Sequence, residues 1–386
     1  IISSCENYQG HLPFGSDKDA PGIVSVDSIR STPGGAVIFY TSPKDEDVLY
    51  IKATFTNNLN QKKEVKSSAV NDSLIVEGYG IMGEYPVTLF AVDRGENHSE
   101  PTKITIATKE PAIHSIFPTL EAKIDYGGLK GSFSNPLRAE ISINVAKYDP
   151  KTHTMVYRQS FFTSQNEGKF NFRGFETEQS NFGIYIEDKW GNTTDTLYVE
   201  GIPKPDDFLD KTKFSVFKMT GDKDFSDYSF RVDNIWDGRW DDQWNCGHTA
   251  FCALPHQLTI DLGVTVKLSR FKLYQRGGDT YYTHGNPKHF MIYGVADVND
   301  LPPYNPTTPQ AGWILIKDCY SFKPSGFPIG QVSAEDLEYQ RKGEEFEIDI
   351  ESMVPIRYLR FVNLETWGEQ EVTVIGELSF WGDILD

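Results

Sequence analysis

The feature that most constrains this chain is alternation. From residue 20 onward, apolar and polar residues trade places in runs of strand length. GGAVIFYTS, VLYIKATFT and SLIVEGYG come early, AEISINVAKYD and FGIYIED in the middle, and KLSRFKLYQR, KHFMIYGV and IRYLRFVNL late. Alternation puts every second side chain on one face of an extended strand, so each run can bury one face in a core. Gly, Pro, Asn and Asp punctuate the runs, and only SAEDLEYQRK hints at a short helix. Aromatic residues make up 13% of the chain, led by Phe and Tyr, which suits sheets better than helix bundles. The chain reads as all-β, built from antiparallel sandwiches.

A length of 386 residues is enough for several such domains. Four segments follow from the punctuation: a polar tether at 1–19, sandwiches at 20–109 and 110–205, and a third, jelly-roll-type sandwich at 206–386. AEISINVAKYDPKTHTMVYRQSFF reads as a hairpin turning at Asp149 and Pro150, and GIPKPDDF, with Pro203 and Pro205, as the linker to the last segment. The first two sandwiches share a design. VTLFAVDRGENHSEPTKITI and FGIYIEDKWGNTTDTLYV each run a strand into Asp, a basic residue, Gly and Asn, then into another strand. GYGIMG at 78–83 matches G-x-G-x-x-G, but Pro86 and a strand follow it where a dinucleotide site needs a helix, so its glycines read as a turn.

Lys and Arg total 37 against 55 Asp and Glu, a formal charge of −18. A surface that acidic repels phosphate backbones and excludes nucleic acid as a partner. Neutral ligands or cations suit it better. No run approaches the ~20 apolar residues of a membrane helix. Near the N-terminus, ISSC at 2–5 resembles the end of a bacterial lipobox, which implies acylation of Cys5 and contact with a membrane through that lipid alone. Of the other cysteines, Cys246 and Cys252 would close a short loop as a disulfide, but Cys319 makes three and leaves the pairing open. A competing reading of CGHTAFCALPH is a tetrahedral zinc site of Cys246, His248, Cys252 and His256, although the spacing matches no common finger.

Two family resemblances add to these patterns. APGIVSVDSIRSTPGGAVIFYTSP, with Tyr85 and the AVDRGENHSEP hairpin, resembles a fibronectin type III domain over about ninety residues. In the last segment, NIWDGRWDDQW, IDLG, RFKLYQR, NPKHFMIYG, IRYLRF and GELSFWG resemble, in that order, a discoidin or factor V/VIII type C domain, the fold of the family 32 carbohydrate-binding modules. The resemblance implies that Asp237 and Gly238 form a turn, that Trp244 is buried, and that one of Trp236 and Trp240 covers the core while the other faces solvent. It also implies structural calcium held by Asp237 and Glu377, with Asp242 standing where the family usually has threonine. Trp313 and Trp381 alternate with apolar strand residues and read as packed.

Domains of this type bind ligands at loops on one end. A sugar needs a flat aromatic surface beside side chains that exchange hydrogen bonds. YQRGGDTYYTHGNPKHF supplies Arg276, Tyr281, Tyr282, His284 and Asn286; Trp367 lies in the polar loop NLETWGEQE, and Trp240 would join them. The bland alternative is that Arg276 makes a salt bridge and the tyrosines cap the sandwich. G-x-S-x-G, H-E-x-x-H and P-loop motifs are absent from the sequence. The whole resembles the surface glycan-binding lipoproteins of Gram-negative glycan utilisation. It implies a non-catalytic outer-membrane protein that captures polysaccharide beside a transporter or a glycoside hydrolase. The alternatives are a protein-binding adhesion or scaffold component of such a complex, and an accessory region of a glycoside hydrolase.

Overall fold

The computed structural model describes residues 19–349 and 354–385; Cys5 lies outside the described residues. The fold is all-β, with antiparallel sheets throughout. The described residues form two compact units. The first is made of 19–124, 129–172 and 178–202, and the second of 125–128, 173–177 and 203–385.

In the first unit, two sandwiches repeat one connectivity. The first contains β1 (Ser25–Thr32), β2 (Gly35–Thr41), β3 (Val48–Thr56), β4 (Lys62–Ser68), β5 (Ser73–Glu77), β6 (Glu84–Asp93) and β7 (Thr102–Ala107). Its sheets run β1-β2-β5 and β4-β3-β6-β7. A short helix that the sequence did not announce, α1 (Ala112–Ile116), leads into β8 (Glu121–Asp125), β9 (Gly128–Ser134), β10 (Ile141–Asp149), β11 (Thr154–Thr163), β12 (Glu167–Phe172), β13 (Ser180–Asp188) and β14 (Leu197–Gly201). These pair as β12-β9-β8 and β11-β10-β13-β14, the same order shifted by seven strands. The hairpin expected at Asp149 forms, with Asp149 paired to Thr154 across its turn. Alternation does what it should: Ile38, Ile51, Val76 and Leu89 fill one core and Ile143, Phe170, Phe172 and Ile184 the other.

The echoed Asp-to-Asn motif is a repeated turn. The Asn97 backbone donates to Asp93 Oδ1 at 2.8 Å, and the Asn97 side chain to Oδ2 at 2.9 Å. Asn192 treats Asp188 in the same way, at 2.9 Å for both bonds. Ser99 and Thr194 finish the two turns by accepting from the backbones of Ala91 and Ile186. The glycines of GYGIMG make room for the second turn. A Cβ at Gly80 would lie 2.4 Å from Asn192 Oδ1, and one at Gly78 3.0 Å from the Trp190 ring. No helix follows them, as expected of a turn.

The second unit is built on β18 (His256–Tyr274), which fuses two runs that read as separate strands in the sequence. Its first half pairs with β22 (Ile356–Thr366) and its second half with β24 (Glu377–Ile384), with an irregularity between Asp261 and Val266. There Gly263 takes φ 71°, a conformation that disfavours a side chain, and donates to Asp261 Oδ1. A strand that bends from one sheet into the next closes a sandwich at its corner. β19 (Pro287–Val295) and β20 (Ile314–Tyr320) extend the side of β22; β15 (Asp207–Phe208) borders β24, while β16 (Ser215–Val216) and β21 (Glu344–Glu347) pair with β18. Phe271, Phe290, Phe346, Phe361 and Phe380 stack through the core. The anticipated helix is α2 (Ala334–Arg341), started by a capping box between Ser333 and Asp336. Trp313 is buried under the Arg360 guanidinium at 4.2 Å, and Trp381 is half-buried under Arg270 at 3.8 Å, so both pack as expected.

Candidate functional site

Two short strands carry one end of the second unit. β17 (Gly247–His248) pairs with β23 (Val374–Ile375), and Ser226 bridges to His248 on the other side. The segment before β17 is tied down by backbone bonds from His248 to Phe225 and from Asp227 to His248. This ladder is too short to bury much. It rests on a small cluster of Cys246, Val372 and Val374, against which Phe230 packs. Above that cluster, aromatic side chains lie open to solvent.

Tyr228, Phe230, Trp244, His248, Phe251 and Arg276 line a shallow basin of about 590 Å³. Its rim consists of three exposed rings: Tyr228 is 57% accessible, Trp244 69% and Phe251 61%. Its floor is Phe230 and His248, stacked face to face at 5.2 Å with 7° between their planes. Tyr228 meets His248 edge-on at 5.1 Å, and Phe251 meets Tyr228 edge-on at 6.5 Å. Tyr228 and Ser229 both sit at positive φ, 53° and 69°, the tight turn that turns this segment back over the floor.

Arg276 is the basin's cation. Its Nε donates to the Gln243 carbonyl at 2.7 Å, which fixes the guanidinium over Phe230 at 5.2 Å and beside Trp244 at 5.8 Å. The guanidinium lines the basin, where it can donate. His248 Nδ1 faces the Thr249 carbonyl at 2.8 Å, so that nitrogen carries the proton and Nε2 is left as an acceptor. Burial holds the His248 pKa below its usual value, with the nearby charges of Arg276 and His284 acting in the same direction. The floor therefore offers a neutral acceptor, and the wall a permanent donor, under three flat rings.

The sequence found Arg276 but not the rings around it. Trp244, expected in the core, is instead among the most exposed large side chains, and its backbone N–H donates to Asp242. Trp236 is the buried tryptophan of the stretch, against Phe214. Tyr281, Tyr282 and Asn286 are corrected in the other direction. Tyr281 is buried with its hydroxyl on Asp241 at 2.6 Å, and Tyr282 is buried between the Phe322 carbonyl and Gln340. Asn286 is buried, accepting from the Arg276 backbone and donating to the Thr280 carbonyl. Saturated buried groups cannot meet a ligand; they fix the loop that presents Arg276. His284 is exposed, in a turn at φ 48°. Trp240 lies elsewhere, tilted on Tyr274 at 4.7 Å with its Nε1 on the Arg341 carbonyl. Trp367 packs edge-on against Tyr282 and donates to Ser321. Trp240, Trp367 and Tyr281 thus share no common platform. The missed residues, Tyr228 and Phe251, are aromatics in turn-rich stretches beside Gly, Ser and Asp, the same signal that had singled out Trp367.

The side chains expected to hold calcium have other partners in this structure. Glu377 is fully buried, and its carboxylate is taken by the Lys211 ammonium and by the Gly238 backbone N–H at 3.2 and 3.3 Å. Asp237 forms the expected turn with Gly238 (φ 83°) but accepts from the Arg239 backbone and from Asn245. Asp242 accepts from Trp244 and faces Arg239. Among the described residues no group of three or more His, Cys, Asp or Glu side chains could hold a metal, so the zinc reading finds no support either. His256 bonds to the Cys252 carbonyl and to Thr373, and Cys246, Cys252 and Cys319 are free thiols. Burial pushes the Cys246 thiol up to about 12, so it stays protonated.

Three family models match the chain, all described as domains of unknown function: DUF4959 over residues 21–108, DUF5126 over 109–212 and DUF5000 over 236–382. No curated protein sequence matches it. Among solved structures, the chain is similar to a SusE-like protein at 29% identity, covering 71% of this chain and 100% of that one, with a TM-score of 0.46. It is also similar to a family 32 carbohydrate-binding module from a family 31 glycoside hydrolase of Clostridium perfringens, at 20% identity over 46% of this chain and 95% of that one (TM-score 0.32). A third is the C-terminal domain of a chitobiase from Bacteroides fragilis, at 18% identity over 47% of this chain and 100% of that one (TM-score 0.32). No helix among the described residues is long and apolar enough to cross a membrane.

Proposed function

We propose that this protein binds carbohydrate without transforming it, and that the basin of the second unit is where a glycan sits. The observation that carries the reading is the grouping of three exposed rings around Arg276 and the neutral His248. Sugar rings present an apolar C–H face that rests on aromatic surfaces, and hydroxyls that accept from a guanidinium and donate to an imidazole nitrogen. The basin is shallow and open, so it suits a chain end or a chain lying across it. Its affinity should be modest, on the order of micromolar to millimolar, because a few stacked rings and exposed hydrogen bonds release little free energy. What is said by name of one similar structure, that it is a carbohydrate-binding module, is brought to this chain by the same reading.

In this proposal the protein is a surface lipoprotein of a bacterial outer membrane, anchored through Cys5. It gathers polysaccharide for a neighbouring transporter or glycoside hydrolase. Affinity electrophoresis through gels containing plant, mucin and microbial polysaccharides tests it: at least one neutral glycan should retard the full chain, and Trp244→Ala should remove most of that retardation. Mobility unchanged in every gel, together with a protein partner that stays bound through purification, would replace glycan capture by a scaffold role. Release of reducing sugar would make the protein an enzyme.

A further inference from the structure

The middle sandwich exposes a second aromatic face that the basin does not use. Its four-stranded sheet, β11-β10-β13-β14, covers its core with one face and leaves the other open. Pairing fixes what stands on the open face. Phe162 on β11 is opposite Ser142 on β10, which is opposite Glu187 on β13. One step along, Ser160 is opposite Asn144 and Asn144 opposite Tyr185. A further step brings Tyr157, Ala146, Gly183 and, on β14, Tyr198 into one row. Neighbouring strands are about 4.8 Å apart, so Tyr157 and Tyr198 stand roughly 14 Å from each other, with Met155 and Thr196 packed over Gly183 between them.

The rings on this face are as exposed as those of the basin, with Phe162 79% and Tyr157 54% accessible. A soluble sandwich normally turns polar residues outward at such positions, so exposed Phe and Tyr on one patch point to a ligand. Between them lies a polar strip in which Ser160 donates to Asn144, the Tyr157 hydroxyl meets Ser160 at 2.9 Å, and Asn144 donates to Ser142. The depression they form measures about 840 Å³. It runs into a second one of about 580 Å³ that has Trp190 and Tyr79 in its wall; Glu140, Ser164, Asp188 and Lys189 border both.

Charge selects among occupants. Glu140, Glu187 and Asp188 line the larger depression together with Lys189, which is shared between Glu140 at 3.3 Å and Glu77 at 3.6 Å, and Arg138 lines the smaller one, so acidic side chains outnumber basic ones along the groove. The groove is net acidic and repels phosphate, sulfate and uronate groups. Hydroxyls, by contrast, can donate to the carboxylates of Glu140 and Glu187, while C–H faces rest on Phe162, Tyr157 and Tyr185. A long groove with an amide and hydroxyl strip and flat walls matches an extended neutral chain better than a globular partner, which would need an apolar core patch free of such a strip.

We propose that the open face of the middle sandwich is a second glycan-binding site, taking a neutral polysaccharide chain across Tyr157, Phe162 and Tyr185. It shares a ligand class with the basin but no residue, so the two readings can fail separately. The test compares the full chain with Tyr157→Ala/Phe162→Ala, with Trp244→Ala/Phe251→Ala, and with the fourfold variant. Each is measured in gels of neutral polysaccharides and by calorimetry with oligosaccharides of the same glycan, after a thermal melt confirms folding. All four substituted side chains are exposed, so the variants should melt as the parent does.

The expected result is that the sheet-face variant loses about 10-fold or more in polysaccharide affinity, as removal of one of two sites on a common ligand does. The basin variant should keep a residual retardation that the fourfold variant lacks. The inference is overturned if the sheet-face substitutions change retardation in neither background, whether or not the basin binds. It is also overturned if they abolish co-purification of a protein while glycan binding stays as in the parent. Loss through the sheet-face variant alone would uphold this site and remove the basin; a parent chain that no neutral glycan retards would remove both.

Discussion

The imidazole of His248 lies flat against the ring of Phe230, 5.2 Å between centroids and 7° from parallel. Burial, with the nearby Arg276 charge acting in the same direction, disfavours the imidazolium, and its pKa is held below the usual range. His248 is therefore a neutral acceptor through the neutral pH range. Glycan affinity should be flat from pH 8 to about 6.5 and fall in acid, as protonation turns Nε2 from acceptor to donor and sets a second cation beside Arg276. The sign for stability agrees. Between the lowered folded value and the unfolded value near 6.5, the unfolded chain binds the proton more readily, so stability is lost as pH falls through that window. Calorimetric titration across pH checks the first statement; affinity that rises in acid would contradict it.

Rings of similar size should behave differently according to where they sit. Trp244→Ala or Phe251→Ala removes an exposed face and should cost about 1–3 kcal/mol of glycan affinity, roughly 5- to 150-fold, with little change in melting temperature. Tyr281→Phe removes the buried hydroxyl bond to Asp241. It should lower stability by about 1 kcal/mol and leave ligand affinity nearly as it was. Trp367→Ala empties a half-buried contact with Tyr282 and belongs with Tyr281. Parallel melts and binding isotherms separate the two groups.

The fold was legible where its cause is local. Alternation located the strands, SAEDLEYQRK hinted at the helix that Ser333 and Asp336 prove to cap, and the Asp-to-Asn turns were visible as an echo before the paired bonds of Asp93 and Asp188 explained it. The site was not legible in the same way, because exposure is a non-local property. Nothing within WDGRWDDQWNCG tells that Trp244 turns outward while Trp236 turns in; Trp236 packs on Phe214, in a core to which Ile375 also belongs, both from segments separate from this stretch. The paired tyrosines after Arg276 looked like a platform by composition. Their hydroxyls are instead taken by Asp241, Phe322 and Gln340, from segments forty or more positions away. Lys211 was equally invisible as the partner of Glu377, since 166 residues separate them.

The glycines at 78 and 80 make a packing prediction. The space for a Cβ at Gly80 is filled by the Asn192 side chain, whose amide donates to the Gly78 carbonyl at 3.3 Å. Gly80→Ala should force that turn aside and destabilise the first unit by about 1–3 kcal/mol. Glycan affinity at the basin should not change. A thermal melt of the variant that matches the parent would show that the turn yields freely.

Glu344 gives a second pH signature. It is buried, and burial pushes its carboxyl up to about 7, against bonds from Ser321 and the Phe322 backbone that favour the anion. The folded value lies above the unfolded one, near 4.3. Its contribution to stability is therefore fully present below the unfolded value and is lost as pH rises through about 7. Glu344→Gln removes the titration while keeping the shape. The stability difference between variant and parent should shift in favour of the variant by on the order of 2 kcal/mol between pH 5 and pH 8. A difference that stays constant across that range would place the Glu344 pKa outside it.

The Lys211–Glu377 pair bears on the calcium expectation. Burial raises Glu377 to about 7, and Lys211 is the largest influence opposing that rise, with its ammonium directly on the carboxylate. The ammonium already supplies the positive charge that a divalent ion would bring to clamp the Asp237 turn to the last strand. A chelator should thus leave the melting temperature of the parent chain unchanged; a fall of several degrees would reveal a bound ion. Lys211→Met should be costly, about 3–5 kcal/mol at pH 8, because it strands a buried carboxylate. The cost should shrink toward pH 5.5, where Glu377 can take a proton and needs no counter-charge. Melts of the variant at the two pH values measure the difference directly, and an equal cost at both would mean that Lys211 stabilises the fold by packing rather than by charge.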